Sequence, residues 1–147
     1  ENTIAQVVQE IKRVRPAAVF FPGVFEIHPD HRKTALLVWK ALGKIADKKI
    51  IPVSYEVLGQ SPVNRLVDIS AYIERKKSAM QVYASQLEEN RYVDIALALN
   101  KLRTLTLHTD VAFAEGFCCF EPEDINEELE SILLRKISTL LSPEIRD

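Results

Sequence analysis

The chain has 147 residues, of which 47% are hydrophobic and 27% are charged, and its formal net charge is −2. This length can bury a sizeable core, so we expect residues 1–147 to form a single domain. No lysine and arginine run is longer than Arg75-Lys76-Lys77, which argues against nucleic acid as a partner. Purely apolar runs reach only about five residues, far fewer than the ~20 that span a bilayer.

The two cysteines, Cys118 and Cys119, are neighbours in the sequence. Neighbouring cysteines rarely bridge each other, so we predict no disulfide scaffold and a reducing compartment, the cytoplasm. We interpret the pair as packed apolar surface. The chain begins at Glu1 and enters a helical pattern at once, which suggests a fragment or a processed or trimmed product.

The predicted elements alternate between helices and strands. Apolar residues at helical spacing predict a first helix that ends at Pro16, and residues 17–21 predict a strand that is apolar on both faces, as in parallel sheets. The later predictions are a helix from Pro29, strands over 49–57 and 66–69, a helix over 71–84 capped by Ser70, a helix over 93–107, a strand over 111–120 and a helix over 123–141. This alternation predicts an α/β fold.

His28, Asp30 and His31 form the most concentrated group of potentially catalytic side chains. They follow a predicted strand and open a helix that has Pro29 at its first position. In open α/β sheets, ligands bind beyond the carboxyl ends of the strands. Two interpretations are open: a helix cap beside a surface histidine, or a metal ligand with an acid or base next to it. A zinc site needs three protein ligands, and this motif supplies one or two.

Residues 18–42, with His28-Pro29-Asp30-His31-Arg32 inside them, resemble the LmbE-like zinc deacetylases, which include the N-acetylglucosaminyl-phosphatidylinositol de-N-acetylases. Two later regions resemble the same family in the same order. Their matching residues are Val67-Asp68-Ile69-Ser70, Ile73-Glu74, Lys76, Ala79-Met80, Tyr83 and Ser85-Gln86, and then Ala114-Glu115-Gly116-Phe117. The family's N-terminal H-P-D-D segment has no counterpart here, so the chain is similar to the C-terminal portion only.

The resemblance implies a Rossmann-like α/β fold with an open, mainly parallel sheet and flanking helices, here without its N-terminal strands. It also implies zinc as the cofactor, with His31 as a metal ligand. His28 would face the substrate carbonyl, and Asp30 would hold the tautomer of His28. The implied reaction removes the acetyl group from an N-acetylglucosamine-type sugar or conjugate.

The missing H-P-D-D segment favours an alternative function. The chain alone would then be a non-catalytic fragment, or a structural or interaction domain with an incomplete metal site. Its missing strands would leave an apolar sheet edge or face, which favours association into a homo-oligomer. A third hypothesis is a two-metal hydrolase of another kind. It needs further histidine ligands, and only His108, which we interpret as a solvated histidine, remains.

Three other side chains in the matching regions have local interpretations. We expect Arg32 to form a salt bridge with Asp30 or another acid, and Lys76 to lie on a solvated face. Glu115 has two interpretations, one as a residue facing the substrate pocket and the other as the partner of Arg103 or another base.

Overall fold

The computed structural model describes residues 2–45, 49–84, 87 and 91–141. Its elements are α1 (Asn2–Val14), β1 (Ala18–Pro22), α2 (Pro29–Leu42), β2 (Ile51–Tyr55), β3 (Arg65–Asp68), α3 (Ile73–Gln81), α4 (Tyr92–Leu102), β4 (Ala114–Cys119) and α5 (Leu129–Leu141). Short 3₁₀ turns precede α3 and α5. Each predicted element is present, most with narrower bounds. Ser85-Gln86, part of the family resemblance, lies outside the described residues. None of the helices within the described residues has the length and apolar character needed to cross a membrane.

The four strands form one open sheet in the order β1-β2-β4-β3. The predicted α/β fold class is therefore confirmed. The prediction of a mainly parallel sheet is wrong, because only β1 and β2 pair in parallel, while β4 is antiparallel to both β2 and β3. The helix α2 provides the long crossover that parallel neighbours need.

Strand β3 explains why the alternation of elements misled the prediction. It follows β2 through a loop over residues 56–64 and pairs with β4, not with β2. In the structure, strand β4 is covered mainly on one face, as antiparallel strands often are. Its residues alternate strictly between buried and partly buried positions over Ala114–Cys119.

Strand β1 is less buried than its apolar sequence predicts. Phe21 is only 1% exposed and packs between Trp39 of α2 and Phe120. Phe20 points to the opposite face, where it is 59% exposed and meets the edge of Phe117. The main core therefore lies on one face of the sheet, beneath α1, α2 and α5.

The start of α2 forms as the sequence predicts. Pro29 occupies a first-turn position, where its missing N–H group costs nothing, and Asp30 places a carboxylate near the positive end of the helix dipole. Further along α2, the indole N–H group of buried Trp39 donates to the carbonyl of Glu127 at 2.9 Å. This bond ties α2 to the segment before α5.

The carboxyl ends of three strands lie at one edge of the sheet. Strands β1 and β2 run in the same direction, and β3 joins them because both β2 and β3 are antiparallel to β4. The chain segments that follow these strands therefore meet beyond Pro22, Tyr55 and Asp68.

Ser70 does not cap the following helix as predicted. No side-chain cap bond is made at the start of the 3₁₀ turn or of α3. The Ser70 hydroxyl instead accepts the backbone N–H groups of Ala112 at 2.8 Å and Phe113 at 3.1 Å, and it donates to Asp68 Oδ1 at 2.6 Å. Because it bridges β3 to the segment before β4, its role is tertiary. The hydrogen bonds from Ser70 also hold the pKa of the Asp68 carboxyl below its ordinary value.

We expect Ser70→Ala to lower the free energy of unfolding by about 1–3 kcal/mol, because two backbone N–H groups lose their acceptor. Ser78→Ala is the matched control, since the exposed Ser78 hydroxyl only donates to the carbonyl of Glu74 within the same helix. Urea denaturation of both variants tests this. The pKa of Asp68, measured by NMR, should rise towards its ordinary value in Ser70→Ala, and equal stability of the two variants would refute the bridge.

Candidate functional site

A pocket of about 670 Å³ opens at the edge of the sheet where the three carboxyl ends lie. Its polar end consists of His28, Asp30 and His31. Its wall is mainly aromatic and apolar and contains Tyr55, Val57, Leu58, Met80, Tyr83 and Tyr92. A largely apolar cleft of this size with a few convergent polar groups is the usual form of a small-molecule site.

His28 is the N-cap of α2. Its Nδ1 accepts the backbone N–H group of Asp30 at 3.2 Å. A neutral imidazole that accepts at Nδ1 must carry its proton on Nε2. The Asp30 carboxylate is 73% exposed, and its Oδ2 lies 3.9 Å from His28 Nδ1. The backbone of Asp30, and not its carboxylate, therefore holds the tautomer of His28.

His31 lies one turn further along α2. Its ring centroid is 5.3 Å from that of His28, so the motif does bring the two imidazoles together. The side chain is 35% exposed, but its Nδ1 is buried and has no hydrogen-bond partner within the described residues. This leaves Nε2 as the nitrogen through which His31 can reach a ligand.

Within the described residues, Arg32 forms no salt bridge with Asp30 or another acid, contrary to the prediction from the sequence. Its Nη1 donates to the backbone carbonyls of Glu26 at 2.7 Å and Ile27 at 2.6 Å. The guanidinium group therefore ties the first turn of α2 back to the loop that precedes it. These two bonds fix the start of α2, with His28 and His31, relative to that loop.

Glu26 is the residue of this site that the sequence reasoning missed. Its side chain is only 1% exposed, and its carboxylate accepts the backbone N–H groups of Val57 at 2.7 Å, Leu58 at 3.2 Å and Gly59 at 3.2 Å. Its Oε2 lies 3.8 Å from His31 Nδ1. The available signal was a single acid in the apolar stretch 24–27, which needs partners when it is buried.

Glu115 and Lys76 form an ion pair outside this pocket. Lys76 Nζ lies 2.5 Å from Glu115 Oε1 and 2.8 Å from Asn100 Oδ1, and Lys76 is partly buried, not solvated as predicted. Arg103 pairs with the buried carboxylate of Glu56 instead. Glu115 therefore has a base, Lys76, as its partner, which agrees with the interpretation that it pairs with Arg103 or another base.

The described residues do not complete a zinc site. They contain no group of three or more histidine, cysteine, aspartate or glutamate side chains arranged to hold a metal ion. His31 offers one nitrogen, and His108 is exposed and pairs with Asp110 at 2.7 Å. A zinc ion held with His31 would need ligands from outside the described residues.

Comparison with known proteins identifies similar solved structures but no matching family. No family model matches this chain. The conserved protein TT1542 from Thermus thermophilus superposes with a TM-score of 0.68 and 25% identity over 82% of this chain and 59% of that protein. GalB, the 4-carboxy-2-hydroxymuconate hydratase from Pseudomonas putida, superposes with a TM-score of 0.60 and 19% identity over 80% of this chain and 57% of GalB. The chain thus spans less than two thirds of either structure.

These results correct the family assignment made from the sequence. They support structural similarity to TT1542 and GalB over about four fifths of the chain, and no family model supports membership of the LmbE-like zinc deacetylases. The assignment depended on short matching segments such as residues 28–32, and segments of this length can recur without a shared family.

We expect the two accessible histidines that have hydrogen-bonded Nδ1 atoms to adopt opposite tautomers. His28 should carry its proton on Nε2, because Nδ1 accepts from the backbone of Asp30. His108 should carry it on Nδ1, because that atom faces the carboxylate of Asp110. Long-range ¹H–¹⁵N correlation spectra of the neutral imidazoles test both, and the same tautomer at both residues would contradict the geometry.

The two cysteines differ in burial and should therefore differ in reactivity. Desolvation raises the pKa of the Cys118 thiol to about 11, and the residue is 1% exposed, while Cys119 is only partly buried. At pH 8 about one Cys118 thiol in a thousand is ionised, so iodoacetamide should modify Cys119 much faster. Mass spectrometry of the labelled peptide measures the ratio, with urea-unfolded protein as the control. Equal native rates would show that Cys118 is not shielded.

Proposed function

We propose that the intact protein is a zinc-dependent hydrolase that removes the acetyl group from an N-acetylglucosamine-type sugar or conjugate. The observation that supports this proposal is the convergence of His28, Asp30 and His31 at the polar end of the pocket of about 670 Å³. An amide hydrolase needs a proton donor for the departing amine beside a space for the acylated substrate. The pocket offers both.

His28 is the proton-handling residue in this proposal. In its neutral form His28 can donate a hydrogen bond from Nε2 to the amide oxygen as negative charge develops there, and in its imidazolium form it can pass a proton to the nitrogen as the C–N bond breaks. The attacking water supplies the hydroxyl group that remains on the acetyl carbon, and its other proton returns to the imidazole, so the products are acetate and a free amine. The Asp30 carboxylate lies 3.9 Å from Nδ1, close enough to interact with positive charge that develops on the ring during proton transfer.

His31 is the proposed metal ligand, through Nε2. Since the described residues supply no complete set of ligands, the remaining ligands would come from outside them. Zinc in such a site would polarise the carbonyl of the substrate.

The pocket wall supports a ring-shaped, partly apolar substrate. Tyr55, Tyr83 and Tyr92 present aromatic rings with hydroxyl groups, and Met80 adds a flexible apolar surface. Such side chains combine apolar contact with hydrogen bonding, which suits a sugar with its apolar ring faces and polar rim. We also propose a cytoplasmic location, supported by the free thiols of Cys118 and Cys119.

We expect the full-length protein to bind zinc and to release acetate from an N-acetylglucosamine conjugate. His28→Gln should lower kcat by about 10²- to 10⁴-fold with zinc retained, because it removes the proton donor. His31→Gln should lower both zinc content and activity, and chelation should remove activity reversibly.

His108→Gln is the matched control, because His108 is exposed and does not line the pocket. Metal analysis and an acetate assay measure the two properties separately. A full-length protein that binds no zinc and is inert on a panel of N-acetylated sugars would refute the proposal.

A second candidate function is that the 147-residue chain by itself is a non-catalytic structural or interaction domain. It is favoured by the lack of a three-ligand metal group among the described residues and by the exposed Phe20 on β1. Association into a homo-oligomer would cover such a surface. Zinc-dependent acetate release by this chain alone would contradict this candidate.

A further inference from the structure

The carboxylate of Glu26 has acceptor capacity that its backbone contacts do not use. It receives N–H groups from three consecutive residues, Val57, Leu58 and Gly59. The two bonds to Oε2, from Leu58 and Gly59, are both 3.2 Å long, and Gly59 shares its N–H group with Oε1 at 3.3 Å, so Oε2 can still attract another donor. Because the side chain is 1% exposed, water has little access to that position.

His31 Nδ1 is a buried nitrogen close to this carboxylate. It lies 3.8 Å from Glu26 Oε2, is buried, and has no hydrogen-bond partner within the described residues. A carboxylate accepts and does not donate, so an imidazole nitrogen that faces it should carry a proton. The separation of 3.8 Å is longer than a hydrogen bond, so the carboxylate acts on the ring nitrogen through electrostatic attraction.

We infer that Glu26 is a positioning residue that holds the proton of His31 on Nδ1 and thereby presents the unprotonated Nε2 to the pocket. His28, held by the backbone of Asp30, carries its proton on Nε2. The two imidazoles at the polar end of the pocket therefore differ in function: His28 presents a donor and His31 an acceptor. What His31 Nε2 binds rests on the proposed function, whereas the tautomer does not.

The same carboxylate also holds part of the pocket wall. Val57 and Leu58 line the pocket, and their N–H groups are bound to Glu26. A substitution of Glu26 should therefore alter both the surroundings of the His31 ring and the backbone of residues 57–59.

The test is the tautomer of His31 in the ¹⁵N-labelled chain at about pH 8.5, where imidazole is neutral. Long-range ¹H–¹⁵N spectra report it, with signals assigned by substituting each of the three histidines. We expect wild-type His31 to be mainly the Nδ1–H form and His28 to be the Nε2–H form. In Glu26→Gln, the ratio of Nδ1–H to Nε2–H at His31 should fall about tenfold or more.

Glu56→Gln is the matched control, because Glu56 is also buried, accepts the backbone N–H group of Ser61 at 2.8 Å, and is paired with Arg103. It should lower stability without changing the His31 tautomer. An equal shift in Glu56→Gln, no shift in Glu26→Gln, or an Nε2–H form in the wild type would each overturn the inference. The wild-type spectrum decides even if Glu26→Gln does not fold.

The measurement needs neither substrate nor metal, so its outcome is separate from that of the activity assay. An inactive protein whose His31 carries its proton on Nδ1 would remove the proposed function and leave the role of Glu26 intact. An active protein with the opposite tautomer would do the reverse.

Discussion

The pocket depends on one buried carboxylate and the backbone N–H groups that surround it. Glu26 lies in the loop between β1 and α2, and its partners lie just after β2. Burial of a carboxylate without such partners would cost several kcal/mol, so the two segments can only be in place together. The backbone carbonyl of Glu26 is held in turn by Arg32 from the first turn of α2. One residue thus joins a loop, a strand exit and a helix start through its side chain and its backbone.

The sheet explains why these segments meet. The parallel pair β1 and β2 places two carboxyl ends side by side, and the antiparallel strand β4 brings β3 into the same direction across the sheet. The loops after all three strands then reach one edge. An open sheet commonly binds ligands beyond such ends, whether or not every neighbour is parallel. The pocket therefore lies beyond the carboxyl ends of the strands, where ligands bind in open α/β sheets, although the strands are not mainly parallel as predicted.

Local signals in the sequence were sufficient to predict the helices and strands and to place the histidine motif at the start of a helix. Pro29 can occupy only a few positions in a helix, so the start of α2 and the placement of His28 beside it followed directly. The partner of a strand is a non-local property, and nothing within 114–119 states that it pairs with both β2 and β3. Ser70 shows the same limit, because a serine before a helix is typical of a cap, yet its hydroxyl binds backbone groups forty-odd residues away.

The candidate site was predictable to the same extent. The motif supplied His28, Asp30 and His31, which do line one pocket. The partners of Lys76 and Glu26 were not predictable, because they depend on how distant segments pack. Those of Arg32 are close in sequence but depend on how the loop before α2 folds back on the helix. A charged side chain meets whichever complementary group the fold brings near it, and sequence spacing identifies that group only within a single helix.

The contact between Glu26 and the chain after β2 is made to backbone N–H groups, which every residue except proline carries. The side chains of Val57 and Leu58 therefore take no part in binding the Glu26 carboxylate, although they form part of the pocket wall. We therefore expect substitutions of these two side chains to leave the position of the Glu26 carboxylate and of the histidines unchanged. Gly59 has less freedom, since a Cβ there would lie 3.3 Å from the carbonyl oxygen of Phe25. Positions 57 and 58 are thus where selectivity for a new ligand can be introduced at the smallest structural cost.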